Sequence, residues 1–188
     1  MNKKFELLLD DTITIFGIKL FRIKALISFG SVEEGELGGY IEKEDNLSFY
    51  GNAWVSGDAW VYGNAEVSGN AWVSGDAWVY GNAEVSGNAR VSGDARVSGN
   101  AMVYGNAMVY GDAWVYGNAD YIVFKNHWSS GRYFTYTKSN KMWRVGCFYG
   151  TGQELIKKAY QDSEVSGKHY EAYVEFVEKL EKLEEAND

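Results

Sequence analysis

Two series of aromatic and cationic residues recur at a fixed interval through the middle of the chain. Neighbouring members are eighteen residues, or a multiple of eighteen, apart: Trp60, Trp78, Arg96 and Trp114 in one series, Tyr62, Tyr80 and Tyr116 in the other. Such planar groups stack on one another and often dominate the energy of protein contacts. A fold with this period would place both series on one face, which predicts a recognition face for a partner or a planar ligand. The alternative is burial against a second copy of the chain or against the chain's own ends.

A third series consists of carboxylates at the same interval, namely Asp58, Asp76, Asp94 and Asp112. Carboxylate oxygens are ligands that Ca²⁺ prefers. Asp also replaces Asn at tight turns, because both residues tolerate left-handed backbone angles. The turn role is the simpler interpretation, so the sequence predicts no metal site and no cofactor.

A six-residue unit generates these series. Hexads of the type G-[ND]-A-x-V-[SY] begin at every sixth position from Gly51 to Gly117, and the pattern decays after Asn118. Ala and Val alternate with the other two positions, which predicts a short strand with Ala and Val inward. Gly and Asn or Asp form the corner. Three hexads make one coil, so residues 51–124 are predicted to be a left-handed parallel β-helix of four 18-residue coils in a mainly β protein.

The period assigns the outward residues of the coils to three faces. Face one begins with Trp54 and Ser56, face two with Trp60 and Tyr62, and face three with Glu66 and Ser68 and ends at Asp120. Face three looks solvated in its first two coils, whereas face two carries both aromatic series. Large aromatic patches on soluble proteins mark contact surfaces. We therefore expect a homo-oligomer in which face two, or its edge against face one, is covered.

Residues 1–50 read as an N-terminal β cap. The apolar alternation of residues 12–26 predicts a hairpin turning near Gly17. A β-helix needs a cap because its first coil has an exposed edge. The segment is placed to be that cap.

Residues 125–188 read as a small α+β domain of the order ββαα. A hairpin is predicted over residues 132–149, with Cys147 inside an apolar strand. Thr151 and Glu154 have the spacing of a capping box and begin a helix that runs to about Asp162. A second helix is predicted from about Gly167, with an apolar stripe that packs on the hairpin or oligomerises. The loop at Thr151 could also bind an anion through the free backbone amides at the start of the helix. Helix capping is the simpler interpretation of these residues.

These motifs resemble known families. The hexads are similar to the hexapeptide-repeat family, which implies a left-handed β-helix and is known for trimeric acyltransferases. The pattern R-x-K-A-L-x-x-F-G-x-V-x-x-G-x-L-G-G-Y-I-E, followed by N-L-S and G-N-A-W-V, spans residues 22–55. It resembles the leader of bacterial, phage and prophage hexapeptide-repeat proteins. The tail resembles C-terminal domains of uncharacterised phage proteins. The resemblances imply provenance and a trimer, but no activity.

The distribution of histidine argues against an enzyme. Hexapeptide acyltransferases use a histidine general base beside a loop that protrudes from the coils. Here His127 and His169 both follow the coils, which no loop interrupts. A γ-class carbonic anhydrase needs three histidine ligands, and two per chain do not match. His127 is expected to be a buried tail residue, so no catalytic residue is predicted.

Charge and composition narrow the partners and the compartment. The net charge is −8, and the repeat region is weakly acidic, which disfavours nucleic acid. One cysteine excludes an intramolecular disulfide and is typical of a reducing compartment. No run approaches a membrane span. We expect a cytoplasmic protein without membrane contact.

These observations favour a non-catalytic accessory binding protein of phage or prophage type. Its β-helix would be a scaffold for oligomerisation, with a trimer favoured, and for binding or sequestering a host factor such as a defence protein or its nucleotide messenger. An acyltransferase is the main alternative, and binding of acetyl-CoA would reveal it. A structural spacer is the second alternative, and it would not form a discrete oligomer.

Overall fold

The chain begins with an antiparallel hairpin. A computed structural model describes residues 3–186 and places β1 at Phe5–Ile15 and β2 at Ile18–Ala25. Phe16 and Gly17 form the turn, both with positive φ angles, so the hairpin predicted near Gly17 is confirmed. The first strand starts earlier than residue 12, because the side chain of Phe5 is fully buried in the core.

The hairpin continues into the sheet of the repeats. Strand β3 (Leu37–Ile41) pairs antiparallel with β2 and parallel with the first strand of face two, where Tyr40 lies beside Trp60. The Nζ atom of Lys4 donates to the carbonyl of Ala53, and Leu47 bridges to Val67. These contacts cover the first coil, as expected for a cap.

The repeats form a parallel β-solenoid. Among the described residues, the hexads contribute eleven two-residue strands. They are β4 (Trp54–Val55), β5 (Trp60–Val61), β6 (Glu66–Val67), β7 (Trp72–Val73), β8 (Trp78–Val79), β9 (Glu84–Val85), β10 (Arg90–Val91), β11 (Arg96–Val97), β12 (Met102–Val103), β13 (Met108–Val109) and β14 (Trp114–Val115). The sheet orders β4-β7-β10-β13, β5-β8-β11-β14 and β6-β9-β12 are those of faces one, two and three.

The interior consists of stacked Ala and Val side chains. Every Ala and Val of these eleven hexads is at most 1% exposed, which confirms that both point inward. The corners need glycine because a Cβ on Gly75, at φ 69°, would lie 3.0 Å from the amide nitrogen of Gly93 in the next coil. Glycine also adopts positive φ without the strain of other residues.

The twelfth hexad departs from the prediction. Residues Asn118–Asp120 form a 3₁₀ turn, and the carboxylate of Asp120 accepts hydrogen bonds from the amides of Tyr116 and Gly117. Asp120 was expected on face three, and that assignment is wrong. A tyrosine stands at position 121 where other hexads have the inward valine, and its hydroxyl donates to the carbonyl of Met102.

The C-terminal region is a four-stranded antiparallel sheet followed by two helices. Strands β15 (Tyr121–Lys125), β16 (Tyr133–Thr137), β17 (Met142–Val145) and β18 (Phe148–Gly150) pair in chain order. The order is therefore ββββαα rather than ββαα, because Tyr121–Lys125 pairs with β16 and the predicted second strand is divided by a turn. Cys147 lies exposed in that turn, so its predicted place inside a strand is wrong.

One extended residue, Ser163, separates the two helices, which pack against each other. Helix α1 (Gly152–Asp162) has the predicted capping box, in which Thr151 and Glu154 bond each other. Helix α2 (Glu164–Glu185) begins three residues before Gly167, because Ser163 ends α1 and caps α2 by accepting from the amide of Ser166. The stripe of α2 packs on the sheet through Tyr170, Val174 and Val177. Neither helix is both long and apolar enough to cross a membrane.

The C-terminal sheet sits on the last coil. The hydroxyl of Thr135 accepts from the amide of Met108 at 2.9 Å, and that of Ser139 accepts from the amide of Trp114 at 2.7 Å. Unpaired ladder donors of the final coil are satisfied in this way.

Candidate binding face

Face two is part of one continuous sheet. Its seven strands run in the order β1-β2-β3-β5-β8-β11-β14, so the N-terminal hairpin extends the solenoid sheet. In-register parallel pairing places Trp60 beside Trp78, Trp78 beside Arg96, and Arg96 beside Trp114. The structure thus brings the predicted residues onto one face.

The first series forms an unbroken stack of planar groups. The rings of Trp60 and Trp78 are parallel within 20°, with centroids 4.7 Å apart. The guanidinium carbon of Arg96 lies 4.4 Å from the Trp78 ring and 5.1 Å from the Trp114 ring. A cation between two indoles is stabilised by both ring faces. The outer face of Trp114 ends the stack.

The second series is divided into two parts. Tyr62 and Tyr80 stack at 5.1 Å, within 3° of parallel, and Tyr62 is only 8% exposed. Its burial, and to a lesser extent the neighbouring Tyr80, raises the pKa of the Tyr62 hydroxyl. Ser98 interrupts the series, and Tyr116 beyond it is 72% exposed.

The N-terminal hairpin covers the beginning of face two. Leu20 is fully buried and forms a cluster with Tyr40 and Tyr62, against which Ile13 and Ile15 also pack. The turn residue Phe16 reaches the Trp78 ring edge-on at 6.2 Å. The chain's own end therefore covers the first two coils, one of the alternatives left open by the sequence.

The last part of face two is not covered by the described residues. Trp114 is 59% exposed and Tyr116 is 72% exposed. A free indole face beside a phenol and a guanidinium is a typical contact surface. We call Arg96, Trp114 and Tyr116 the distal aromatic end.

A row of carboxylates runs beside the stack. Asp58, Asp76 and Asp94 line a 250 Å³ groove together with Trp60, Trp78 and Arg96. Arg22 neutralises one end of the row, since it lies 3.6 Å from Asp58 and 3.0 Å from Asp11. Carboxylates and indole faces both attract cations. This face is therefore better suited to ammonium or guanidinium groups than to the phosphates of a nucleotide.

The other end of the row contacts the C-terminal sheet. The carboxylate of Asp112 accepts from the amide of Asn140 at 3.0 Å and from the hydroxyl of Tyr149 at 3.4 Å. These hydrogen bonds, that of Asn140 first, lower the pKa of Asp112. Within residues 3–186, no group of three or more His, Cys, Asp or Glu side chains could hold a metal ion.

The hairpin residues of this face were not identified from the sequence. Three residues that the sequence assigned only to a cap contact this face. The side chains of Phe16 and Leu20 pack on its aromatic residues, and Arg22 pairs with Asp58. The available signal was the exposed edge of the solenoid sheet, which a hairpin with alternating apolar residues can extend. That signal does not say over which face the hairpin folds.

Faces one and three differ from face two. On face one Trp54 is fully buried under Phe29, with ring centroids 5.5 Å apart, and Trp72 donates to the hydroxyl of Ser56. On face three Glu66 and Glu84 are exposed, as predicted for a solvated surface.

The histidines lie together in the C-terminal region. His127 is exposed rather than buried as expected, and it lies in the loop after β15. The rings of His127 and His169 are 5.7 Å apart, and His169 stacks on Trp128 at 4.4 Å. At the start of α1 the amides of Thr151 and Glu154 are both used by the capping box, which is the helix-capping role predicted for this loop.

Comparison with known proteins agrees with this architecture. A family model described as YdcK Beta solenoid repeat matches residues 59–75, 83–99, 95–106 and 103–117. No curated protein matches the chain. The repeat match and the three parallel sheets define a β-solenoid repeat protein. This architecture specifies a scaffold and not an activity.

Proposed function

We propose that this chain is a non-catalytic binding protein of phage or prophage type, acting in the cytoplasm of the host cell. The solenoid is a rigid scaffold, and the distal aromatic end recognises a host protein. The observation that carries the proposal is the contrast within face two: the hairpin buries Tyr62 to 8% exposure, whereas Trp114 and Tyr116 remain 59% and 72% exposed. The phage provenance rests on the leader pattern of residues 22–55.

The charge of the face selects the partner. Asp76 and Asp94 make no ion pair within residues 3–186, and they flank the stack that leads to Trp114. A host protein with exposed Lys or Arg side chains would place these cations between the carboxylates and the indole faces. A defence protein with such a basic segment fits this surface better than a nucleotide messenger does.

Self-association through the same surface is the competing use. An isolated solenoid with an exposed Trp and Tyr has an apolar patch that a second copy can cover. Family resemblance favours a trimer. The host-binding proposal requires that the distal aromatic end stay accessible in the assembled protein, so oligomerisation should use another edge.

The test compares Trp114→Glu with Glu84→Lys, an exposed change on face three. Wild-type protein and Glu84→Lys should retain the same host protein from lysate at physiological salt, and Trp114→Glu should lose it. Light scattering on all three proteins reports the oligomeric state. Equal retention by all three would contradict the proposal, and conversion of an oligomer to a monomer by Trp114→Glu would assign the surface to self-association.

A further inference from the structure

A second cleft lies on the other side of the solenoid from face two. It has a volume of 570 Å³ and forms where the corner before face one meets the C-terminal sheet. Its lining comprises Asn70, Asn88, Arg90, Asn106, Met108, Arg132, Tyr133 and Gly146. The volume is in the range of small-molecule sites. Because no residue of face two lines it, this cleft does not depend on the proposed function.

The cleft is cationic in an acidic protein. Two arginines line it and no carboxylate does, although the chain has a net charge of −8. Among residues 3–186 the guanidinium groups of Arg90 and Arg132 have no ion pair, hydrogen bond or ring contact. By contrast, Arg22 is paired with Asp11, and Arg96 lies between two indoles. Two unpartnered guanidinium forks on one cleft form a receptor for an oxyanion.

The asparagine corner adds polar groups along the wall. The amide of Asn70 donates to Asn88 at 3.2 Å, and that of Asn88 donates to Asn106 at 3.5 Å. The ladder ends at Asn106, whose side-chain nitrogen donates to no other described residue. The terminal donor therefore lies at the cleft, available to a carbonyl, hydroxyl or ring nitrogen.

Both walls also supply apolar and aromatic surface. Tyr133 is 39% exposed at the start of β16, and the Nζ atom of Lys125 lies 5.6 Å from its ring. Met108 lies beside Arg90 on the next coil of face one. A flat ring could pack here while an attached anion reaches the arginines.

We propose that this cleft binds a small phosphate-bearing molecule. Arg90 and Arg132 hold the phosphate, and Asn106 and Tyr133 contact the organic part. A phosphate fits better than a carboxylate, because one guanidinium already satisfies both oxygens of a carboxylate, whereas two forks match the three terminal oxygens of a phosphomonoester.

The test uses three probes on the full chain by isothermal titration calorimetry. Adenosine monophosphate should bind, inorganic phosphate should bind more weakly, and adenosine should not bind. Arg90→Gln and Arg132→Gln should each weaken binding of adenosine monophosphate at least tenfold. Lys157→Gln, which removes an exposed positive charge on α1, is the matched control and should bind as the wild type does.

Several outcomes would overturn the assignment. Absence of binding by adenosine monophosphate and phosphate would remove the site, and wild-type affinity in the Arg90→Gln, Arg132→Gln double variant would place it elsewhere. Equal affinity for adenosine and adenosine monophosphate would contradict anion recognition. Both arginines are exposed, so the variants should keep the wild-type melting temperature. Face-two variants such as Trp114→Glu should not change this binding, which separates the two proposals.

Discussion

Lys4 is a buried cation at the first coil. Lys4 is only 2% exposed. Its Nζ atom donates to the carbonyl of Ala53 at 2.9 Å and lies 4.8 Å from the centre of the Phe29 ring. It has no carboxylate partner within residues 3–186. Burial lowers the pKa of Lys4 from 10.5 to about 8. The lysine caps the core with a hydrogen bond but carries a charge that burial disfavours.

We predict that the free energy of unfolding rises with pH because of Lys4. Between the folded pKa of about 8 and the unfolded value of 10.5, the unfolded chain binds more protons, so stability increases with pH in that window. From pH 7.5 to 9.5 Lys4 should contribute a gain of about 2 kcal/mol, measured by denaturant unfolding as the difference between the wild type and Lys4→Met. Lys4→Met should flatten this dependence.

Lys3 provides the matched control for this prediction. Its side chain is 57% exposed and pairs with Glu44 at 2.6 Å. Lys3→Met should therefore keep the rise in stability between pH 7.5 and 9.5. If the free energy of unfolding had the same pH dependence in the wild type and in Lys4→Met, the lowered pKa of Lys4 would be contradicted.

The corners of the solenoid differ at the scale of elements. Side-chain amides form ladders at two corners, for example from Asn64 to Asn82 and from Asn82 to Asn100, both at 3.1 Å. The Asp corner lacks a donor, so its carboxylates face each other without a hydrogen bond. Within residues 3–186 the flanking elements bond only its ends, Asp58 through Arg22 and Asp112 through Asn140.

The middle of the Asp corner can be stabilised by mutation. Asp76→Asn combined with Asp94→Asn should create a ladder hydrogen bond and remove repulsion, which together stabilise by about 1 kcal/mol. For a chain of this length the melting temperature should rise by about 2–4 °C, measured by calorimetry. Asn82→Asp, which breaks an existing ladder, should lower it. An unchanged melting temperature in the double variant would show that the ladders contribute little.

The same double variant links stability to the proposed function. Asp76 and Asp94 flank the stack on face two, so their neutralisation should weaken retention of a basic host protein. Residues that bind a partner often lower stability. On this proposal, the exchange would account for Asp in one corner column and Asn in the other two.

At the scale of the whole molecule, the histidines are separated from the coils. His127 and His169 contact each other and Trp128 in the C-terminal region, and no histidine stands on a solenoid face within residues 3–186. The strands follow each other every six residues without a protruding loop. No histidine therefore lies on the coils, where the resemblance to hexapeptide acyltransferases implies a general base.

We therefore predict no acyl transfer. Incubation with acetyl-CoA and a panel of amine and hydroxyl acceptors should release no free CoA above the rate without protein, measured with a thiol reagent. Cys147 is exposed and also reacts with such reagents, so protein without acetyl-CoA is the required blank. Turnover that disappears in His127→Ala would contradict a non-catalytic function.

Much of the solenoid and its faces could be predicted from the sequence. The hexad specifies inward Ala and Val, corner Gly, and the alignment of Trp60, Trp78, Arg96 and Trp114, because a strict local period has one packing solution. The capping box at Thr151 was also predictable, since it depends on residues three apart.

Only the tertiary structure decided what covers these faces. Three features join residues that are far apart in the chain. The hairpin folds over Tyr62, Thr135 docks on the last coil, and Arg90 and Arg132 line one cleft. Cys147 lies in a turn because β17 and β18 pair with each other. No local pattern encodes which surfaces meet, because a strand with alternating apolar residues can pack on many sheet edges and apolar faces. The relative packing energy of these arrangements selects the one that forms.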